Sequence, residues 1–196
     1  MAVISIKNKI KSGSLLVGNA YFQPTSYESI ATATGTGSSG TITFSSIPST
    51  YTALQIRINS KSLRTGTTAT ALYATVNSDT GANYAYHFLY GDGSVAGSTG
   101  STSSTSMMIG YEAGSNAGSN VNTFGTTIID LHDYASTTRN KTFKSFAGTD
   151  NNGTGQIRLM SGLWMSTSAV TSISLTDAVD NFASGSTFSL YGIKGA

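Results

Sequence analysis

The sequence predicts an all-β protein, an antiparallel β-sandwich or jelly roll that follows an extended N-terminal arm. Short runs alternate apolar and polar residues, as half-buried strands do, and Gly, Ser, Thr and Asn separate these runs. No stretch repeats its apolar residues with the helical period of about 3.6 residues. Short strands recurring in this way are typical of sandwiches and jelly rolls.

The N-terminal segment, residues 1–40, is predicted to be an anchoring arm followed by a linker. Between positions 3 and 11 a strand would carry isoleucines on one face and lysines on the other: Ile4, Ile6 and Ile10 against Lys7, Lys9 and Lys11. Such a strand can join the sheet edge of a partner while its lysines meet acidic groups. Residues 32–40 are rich in Gly, Ser and Thr and indicate the linker.

Residues 41–196 are predicted to form the β-sandwich body. In the run 54–60, Leu54, Ile56 and Ile58 alternate with polar residues, so one face is expected to be buried. The last run alternates strictly and predicts a strand packed inside the fold. The predicted strands are 41–45, 54–60, 71–77, 84–90, 106–111, 124–133, 142–147, 156–165, 169–175 and 187–193. Two nearly uncharged loops are expected at 91–105 and 113–122.

Two aromatic features are candidate contact sites. One face of the strand 84–90 carries a stripe formed by Tyr84, Tyr86, Phe88 and Tyr90. The stripe is expected to lie in the core or in a subunit interface; if exposed, it could stack on sugar rings or bases. Trp164 alternates with Met160 opposite a second apolar set, Ile157, Leu159, Leu163 and Met165. A strand apolar on both faces predicts cover on both sides, hence a subunit contact.

No catalytic, cofactor or metal site is predicted. Asp130, His132 and Asp133 could form a general base, but no nucleophile elbow accompanies them, so a polar strand edge is preferred. His87 and His132 lie in different predicted strands and do not define a zinc site. The run 150–155 resembles the start of a calcium loop without its closing Glu, and a tight turn explains the same residues.

Composition narrows the functional classes. With 196 residues and 38% hydrophobic content the chain can bury a full core, yet only 10% of its residues are charged. This low charge predicts a surface covered by a partner or made of hydroxyl groups. The net charge of +2 argues against nucleic acid as a partner. The chain has no cysteine, no apolar run long enough for a membrane helix and no pattern of a signal peptide.

Several segments together resemble the small Ser/Thr/Gly-rich virion structural proteins of tailed bacteriophages, notably cyanophages. They are residues 41–51 with 54–57, then 83–84, 91–94, 122–125, 130–134, 162–164 and 185–193. The resemblance covers most of the chain and implies a multimeric virion protein made in the host cytoplasm, either tail-fibre-like or decoration-like. It favours a homotrimer and supplies no catalytic residues.

Two functional classes therefore remain. The first is a non-enzymatic virion protein, a tail-fibre or tail-tip component or a capsid decoration, that binds other virion proteins through residues 1–40. The second is a carbohydrate-binding β-sandwich module that recognises host glycans during host attachment. Neither requires a cofactor, nucleic acid or a membrane.

Overall fold

The structure is a computed structural model, and it describes residues 15–17, 20–22, 26–114 and 122–194, the first two segments by their backbone only. The described residues form strands and turns without a helix. The strands are β1 (Leu15–Val17), β2 (Ala20–Phe22), β3 (Tyr27–Thr34), β4 (Thr41–Phe44), β5 (Ala53–Ser60), β6 (Ala69–Val76), β7 (Tyr84–Gly91), β8 (Ala96–Ser104), β9 (Met107–Ala113), β10 (Gly125–His132), β11 (Lys141–Asp150), β12 (Gly155–Trp164), β13 (Ile173–Asp177) and β14 (Thr187–Ile193).

Two antiparallel sheets build the body and confirm the predicted all-β sandwich. The large sheet has eight strands in the order β3-β14-β5-β10-β11-β12-β7-β8, and the small sheet has four in the order β4-β13-β6-β9. The strands β1 and β2 form a separate antiparallel pair. The large sheet is therefore twice as wide as the sheet that covers its inner face.

The wide sheet consists of two parts, which we name for the rest of the text. The core strands are β3, β4, β5, β6, β9, β10, β13 and β14, and they form the sheet orders β3-β14-β5-β10 and β4-β13-β6-β9. The inserted hairpins are β7–β8, which lies between β6 and β9 in the chain, and β11–β12, which lies between β10 and β13. Both hairpins extend the large sheet beyond β10.

Alternation along each core strand places apolar side chains between the two sheets. On β5 the inward positions Leu54, Ile56 and Ile58 are buried, as the sequence predicts. On β14 Phe188 and Leu190 are fully buried, and the strand lies between β3 and β5. The predicted packing of the strand 187–193 inside the fold is thereby confirmed.

The start of the body differs from the prediction. Residues 27–34, placed by sequence in the arm and linker of residues 1–40, form β3 and pair with β14 along its length. The following residues also bind the body, since the backbone N–H of Gly35 donates to Ser186 O over 2.8 Å. Strand β3 was missed because Ile30 is its only large aliphatic residue. The predicted anchoring residues Ile4, Ile6, Lys7, Lys9, Ile10 and Lys11 lie outside the described residues.

The segment 91–105, predicted as a loop, is mostly strand β8, joined to β7 by a short turn. The sequence of β8 consists of Gly, Ser, Thr and Ala and carries no apolar alternation. Its glycines have a packing reason: a Cβ at Gly97 would stand 2.8 Å from the Tyr90 ring, and a Cβ at Gly100 would stand 2.5 Å from the His87 ring. Side chains of β7 thus lie across β8. The second predicted loop, 113–122, falls mainly outside the described residues.

Candidate interaction surface

A row of apolar side chains crosses the outer face of the inserted hairpins. The strand register sets Ile128 beside Phe146, Phe146 beside Leu159, and Leu159 beside Leu89. These four side chains, which we call the apolar row, belong to the four successive strands β10, β11, β12 and β7. Ile157 lies two positions from Leu159 on the same face. Their exposed fractions run from 44% to 59%.

The apolar row and Ile157 together form one continuous exposed patch. Single exposed apolar residues are common, but these five are contiguous across strands. Half-exposed side chains of this size leave on the order of 400 Å² of apolar area open, which is the size of the largest patch on many proteins, and such patches are often functional. We therefore treat the apolar row with Ile157 as the candidate interaction surface.

A shallow depression lies at one end of the row. It has a volume of about 600 Å³, and its walls include Leu89, Leu159 and His87. The space is unfilled because β8 places the small residues Ser98 and Gly100 opposite Leu89 and His87. Small side chains at the sheet edge thus leave room beside the row for one apolar side chain of a partner.

The polar groups next to the row bind one another. Lys144 Nζ lies 3.3 Å from Asp130 Oδ2, and Gln55 Nε2 donates to Asp130 Oδ1 over 2.8 Å. Arg57 Nε donates to Gln55 Oε1 over 2.8 Å, and its guanidinium lies over the rings of Tyr27 and Tyr191. The carboxylate of Asp130 therefore has partners of its own beside the row, and the row itself contains no charged side chain.

The inner face of the inserted hairpins has its own small core. Phe88, Ala147 and Met160 from the hairpins pack with Met108 of β9 in a cluster separate from the main core. Tyr73, Tyr86, Tyr90 and Tyr111 surround this cluster and are only partly buried. The hairpins are thus apolar on both faces, with one face covered by the rest of the molecule.

Arg158 lies buried among the aromatic rings of this second cluster. Its guanidinium carbon is 3.6 Å from the ring centre of Tyr111, 4.5 Å from that of Phe88 and 5.4 Å from that of Tyr90. Gln156 Oε1 accepts hydrogen bonds from Nε and Nη2. Burial lowers the pKa of the guanidinium, and the stacked rings offset the loss of hydration. This packing fixes β12 behind the apolar row.

The predicted aromatic stripe is divided between core and edge. Tyr84 and Phe88 are buried, while Tyr86 and Tyr90 are partly covered at the rim of the second cluster. Trp164 is also buried, and its Nε1 donates to Asp79 Oδ2 over 2.7 Å, a bond that lowers the pKa of Asp79. The stripe therefore faces the interior and does not form an open platform for sugar stacking.

The enzyme-like residues do not form a relay. Asp130 pairs with Lys144, and Asp133 pairs with Arg139. His132 is exposed at the end of β10, and His87 lies on β7, with β11 and β12 between them in the sheet. Among the described residues no group of three or more His, Asp or Glu side chains is close enough to hold a metal ion.

The run 150–155 forms the turn between β11 and β12, in agreement with the turn interpretation. Asn151 N donates to Thr154 O over 2.7 Å, and Asn152 N donates to Asp150 Oδ1. Asn152 and Gly153 take positive φ values of 55° and 114°. The polar side chains of this run stabilise the backbone of the turn.

A buried carboxyl group lies among the core strands. Glu112 of β9 is fully buried, and burial together with the nearby Asp177 raises its pKa to about 9. Asp177 Oδ1 accepts the backbone N–H groups of Val179 and Asp180. Glu112 therefore keeps its proton at neutral pH.

The apolar row was only partly visible in the sequence. Leu159 and Ile157 were recognised as the second apolar face of their strand, but Phe146, Ile128 and Leu89 were not singled out. Strand alternation did give a signal for Phe146. It lies three positions from Phe143, so the two rings must face opposite sides of β11. Their alignment into a row depends on strand register, which the sequence does not state.

Comparison of the chain with protein-family models, curated proteins and solved structures found no match. In the described part of the chain there is no helix with the length and hydropathy needed to cross a membrane.

Proposed function

We propose that the protein is a non-enzymatic structural protein of a bacteriophage virion, exposed on the particle as a tail-fibre or tail-tip component or as a capsid decoration. The observation that carries this proposal is the apolar row on the outer face of the widened sheet. A low-charge surface of this kind suits burial between subunits. The sequence resemblance to tailed-phage virion proteins supports the same class.

The connectivity of the core strands adds support. Consecutive core strands alternate between the two sheets from β3 to β6 and again from β9 to β14, and β6 and β9 are neighbours in the small sheet. We infer that the core is a jelly roll into which the two hairpins are inserted. Jelly rolls are common among viral capsid proteins and lectins, which fits both functional classes left open by the sequence.

We assign anchoring to the arm and expect a homo-oligomer, with a trimer favoured by the resemblance alone. The residues available for anchoring are those before β3, since Tyr27–Thr34 belong to the sheet. Deleting residues 1–25 should give a body that unfolds cooperatively and fails to join the particle. The matched control replaces Lys7, Lys9 and Lys11 by Gln. This variant keeps the predicted isoleucine face and removes the charge of the lysines.

The experiment that tests virion membership uses particles of the phage that encodes the chain. A density label fused to this protein should appear at a repeated position on purified particles, on the tail or on the capsid. Purified particles that lack the protein by mass spectrometry would refute the proposal. Incorporation of the protein lacking residues 1–25 would refute only the role of the arm.

A carbohydrate-binding module is the second candidate because a groove lies at the turn end of both hairpins. It has a volume of about 660 Å³, and Asp92, Asp150 and Gln156 line it beside Phe124 and Ile157. Carboxylate and amide groups next to an aromatic ring are the groups that bind sugars. Binding of the full chain to a glycan array, lost in Phe124→Ala, would favour this candidate. Absence of binding by the unmodified chain would remove it.

A further inference from the structure

We infer that the apolar row is the contact by which two copies of this chain pack face to face, large sheet against large sheet. The partner is a second copy, and the same surface is used on both. This inference concerns self-association alone and does not depend on virion membership. It can therefore fail while the proposed function stands, and the reverse also holds.

A sheet suits this surface better than a single extended segment. A strand laid across a sheet face leaves its own N–H and C=O groups without partners, whereas a second sheet brings its backbone groups already paired. The strand predicted for residues 3–11 is better suited to a sheet edge, where its backbone groups can form hydrogen bonds. The outer face of a second copy offers apolar side chains on a surface whose hydrogen bonds are complete.

The pattern of the row is complementary to itself. A two-fold axis parallel to the strands, between β11 and β12, places Phe146 opposite Leu159 of the second copy and Ile128 opposite its Leu89. The depression beside Leu89 then has room for the Ile128 side chain. The same axis sets Lys144 opposite Ser161, and Asp130 opposite His87. No like charges oppose one another along these two rows.

The size of the surface agrees with a dimer. A standard interface buries about 800 Å² on each partner, and a little more than half of this area is apolar. The apolar row with Ile157 supplies on the order of 400 Å². A polar rim comes from the hydroxyl-rich strand β8 on one side and from Gln55, Arg57 and Asn59 of β5 on the other. A contact of this symmetry closes with two copies. If a three-fold contact also forms through another surface, the two contacts together give an assembly of six chains.

The first test measures the mass of the full chain between about 1 and 100 µM by light scattering and sedimentation. We expect an even number of copies, and we expect F146D to halve the mass by weakening the contact at least about 100-fold. Val179 is as exposed as the row but lies in the segment after β13, so V179D is the matched control and should keep the mass of the unmodified chain. Far-UV circular dichroism should show all three folded.

A second test uses the absence of cysteine in the chain. Ile128 and Leu89 are three strands apart, about 14 Å, so cysteines at these positions cannot join within one copy. The I128C/L89C double variant should form a covalent dimer under mild oxidation, and each single variant should not.

Three results would overturn the inference. They are an unmodified chain that is monomeric at 100 µM, an F146D variant of unchanged mass, and an I128C/L89C variant that stays uncrosslinked. A monomer that binds a hydrophobic dye only after deletion of residues 1–25 would show instead that the arm covers the face.

Discussion

The core strands and the inserted hairpins use their two faces differently. On β5, a core strand, the outward residues are Gln55, Arg57 and Asn59, and the inward residues are apolar. On β12, an inserted strand, the inward Met160 and Trp164 are matched by outward Ile157 and Leu159. Strand β5 therefore has the pattern of a solvated sheet, whereas β12 has that of a sheet with cover on both sides. Strand β10, which joins the two parts, carries Ile128 of the apolar row on its outer face.

The difference shows what the hairpins add. The core strands form a complete sandwich by themselves, because they supply two facing layers of four strands each. The hairpins extend one sheet past the other, and β9, at the edge of the small sheet, packs against β10, β11 and β12. The added strands contribute Tyr84, Phe143 and Trp164 to the main core and present a new outer surface. Four changes test this division, in decreasing order of expected effect.

Two phenylalanines on the two parts give the largest contrast. Phe188 is fully buried with its ring 4.7 Å from that of Phe182, while Phe146 stands half exposed in the apolar row. F188A should lower the free energy of unfolding by about 3–5 kcal/mol, and F146A by less than about 0.5 kcal/mol. Urea unfolding of the monomeric state measures both. Equal losses would show that the hairpins are as tightly built into the core as β14.

The buried Glu112 makes the stability of the core depend on pH. Its pKa is 4.5 in the unfolded chain and about 9 in the fold, so the folded state holds a proton that the unfolded chain has released. The stabilisation that this proton gives the fold is complete below the unfolded pKa and is lost as pH rises toward 9. Over that interval the free energy of unfolding falls by about 1.4 kcal/mol per pH unit. E112Q should remove that slope and raise the melting temperature at pH 8.

The control for this change is Glu28→Gln. Glu28 is a partly exposed partner of Lys194, and that bond lowers the pKa of its carboxyl group. The variant should keep the falling stability between pH 5 and 9. If the stability of E112Q fell with pH as steeply as that of the unmodified chain, a group other than Glu112 would be responsible for the pH dependence.

The stacked Arg158 tests the second cluster. R158K keeps the charge but loses the planar group that contacts three rings and should cost about 1–2 kcal/mol. R158M, which fills similar space without a charge, should cost less. Arg57 on a core strand also lies between two rings but is exposed, so R57K is the control and should cost less than about 0.5 kcal/mol. Unfolding in urea gives these values, and equal costs for R158K and R57K would contradict the argument.

The smallest effect concerns one turn. Gly153 has a φ of 114° and no atom within 4 Å of an added Cβ, so G153A should lower stability by about 1 kcal/mol through backbone strain alone. Gly148, in the same hairpin, has extended backbone and a nearest atom at 4.0 Å. G148A should leave the melting temperature nearly unchanged. A larger loss in G148A than in G153A would mean that β11 tolerates no side chain at that position.

Strong alternation explains which parts of the fold the sequence could predict. The last strand was predicted with the bounds it has, because Phe188 and Leu190 alternate with small or polar residues. Strands β3 and β8 escaped prediction because they lie at the sheet edges, where hydroxyl-rich sequences are tolerated. There the pairing comes from the neighbouring strand, which overrides weak local preference.

The candidate surface was harder to predict than the fold. The two apolar faces of β12 could be inferred from Leu159 and Trp164 in the sequence. The row could not, since it requires β12 to pair with both β11 and β7, and β7 is far away in the chain. Register and neighbour choice are properties of the whole sheet, so a single strand pattern cannot reveal them.

The pairing of β3 with β14 determines how the body would respond to mechanical force. Tyr27 is paired with Ile193, and Glu28 binds Lys194, so the start of β3 and the end of β14 meet at one corner of the large sheet. Pulling residue 27 away from residue 193 would unzip the pair one hydrogen bond at a time. Pulling residue 27 along the axis of β3, with the apolar row held fixed, would load all the bonds of the strand together in shear. The same joint is thus weak toward tension between the two ends and strong toward tension between residue 27 and the outer face.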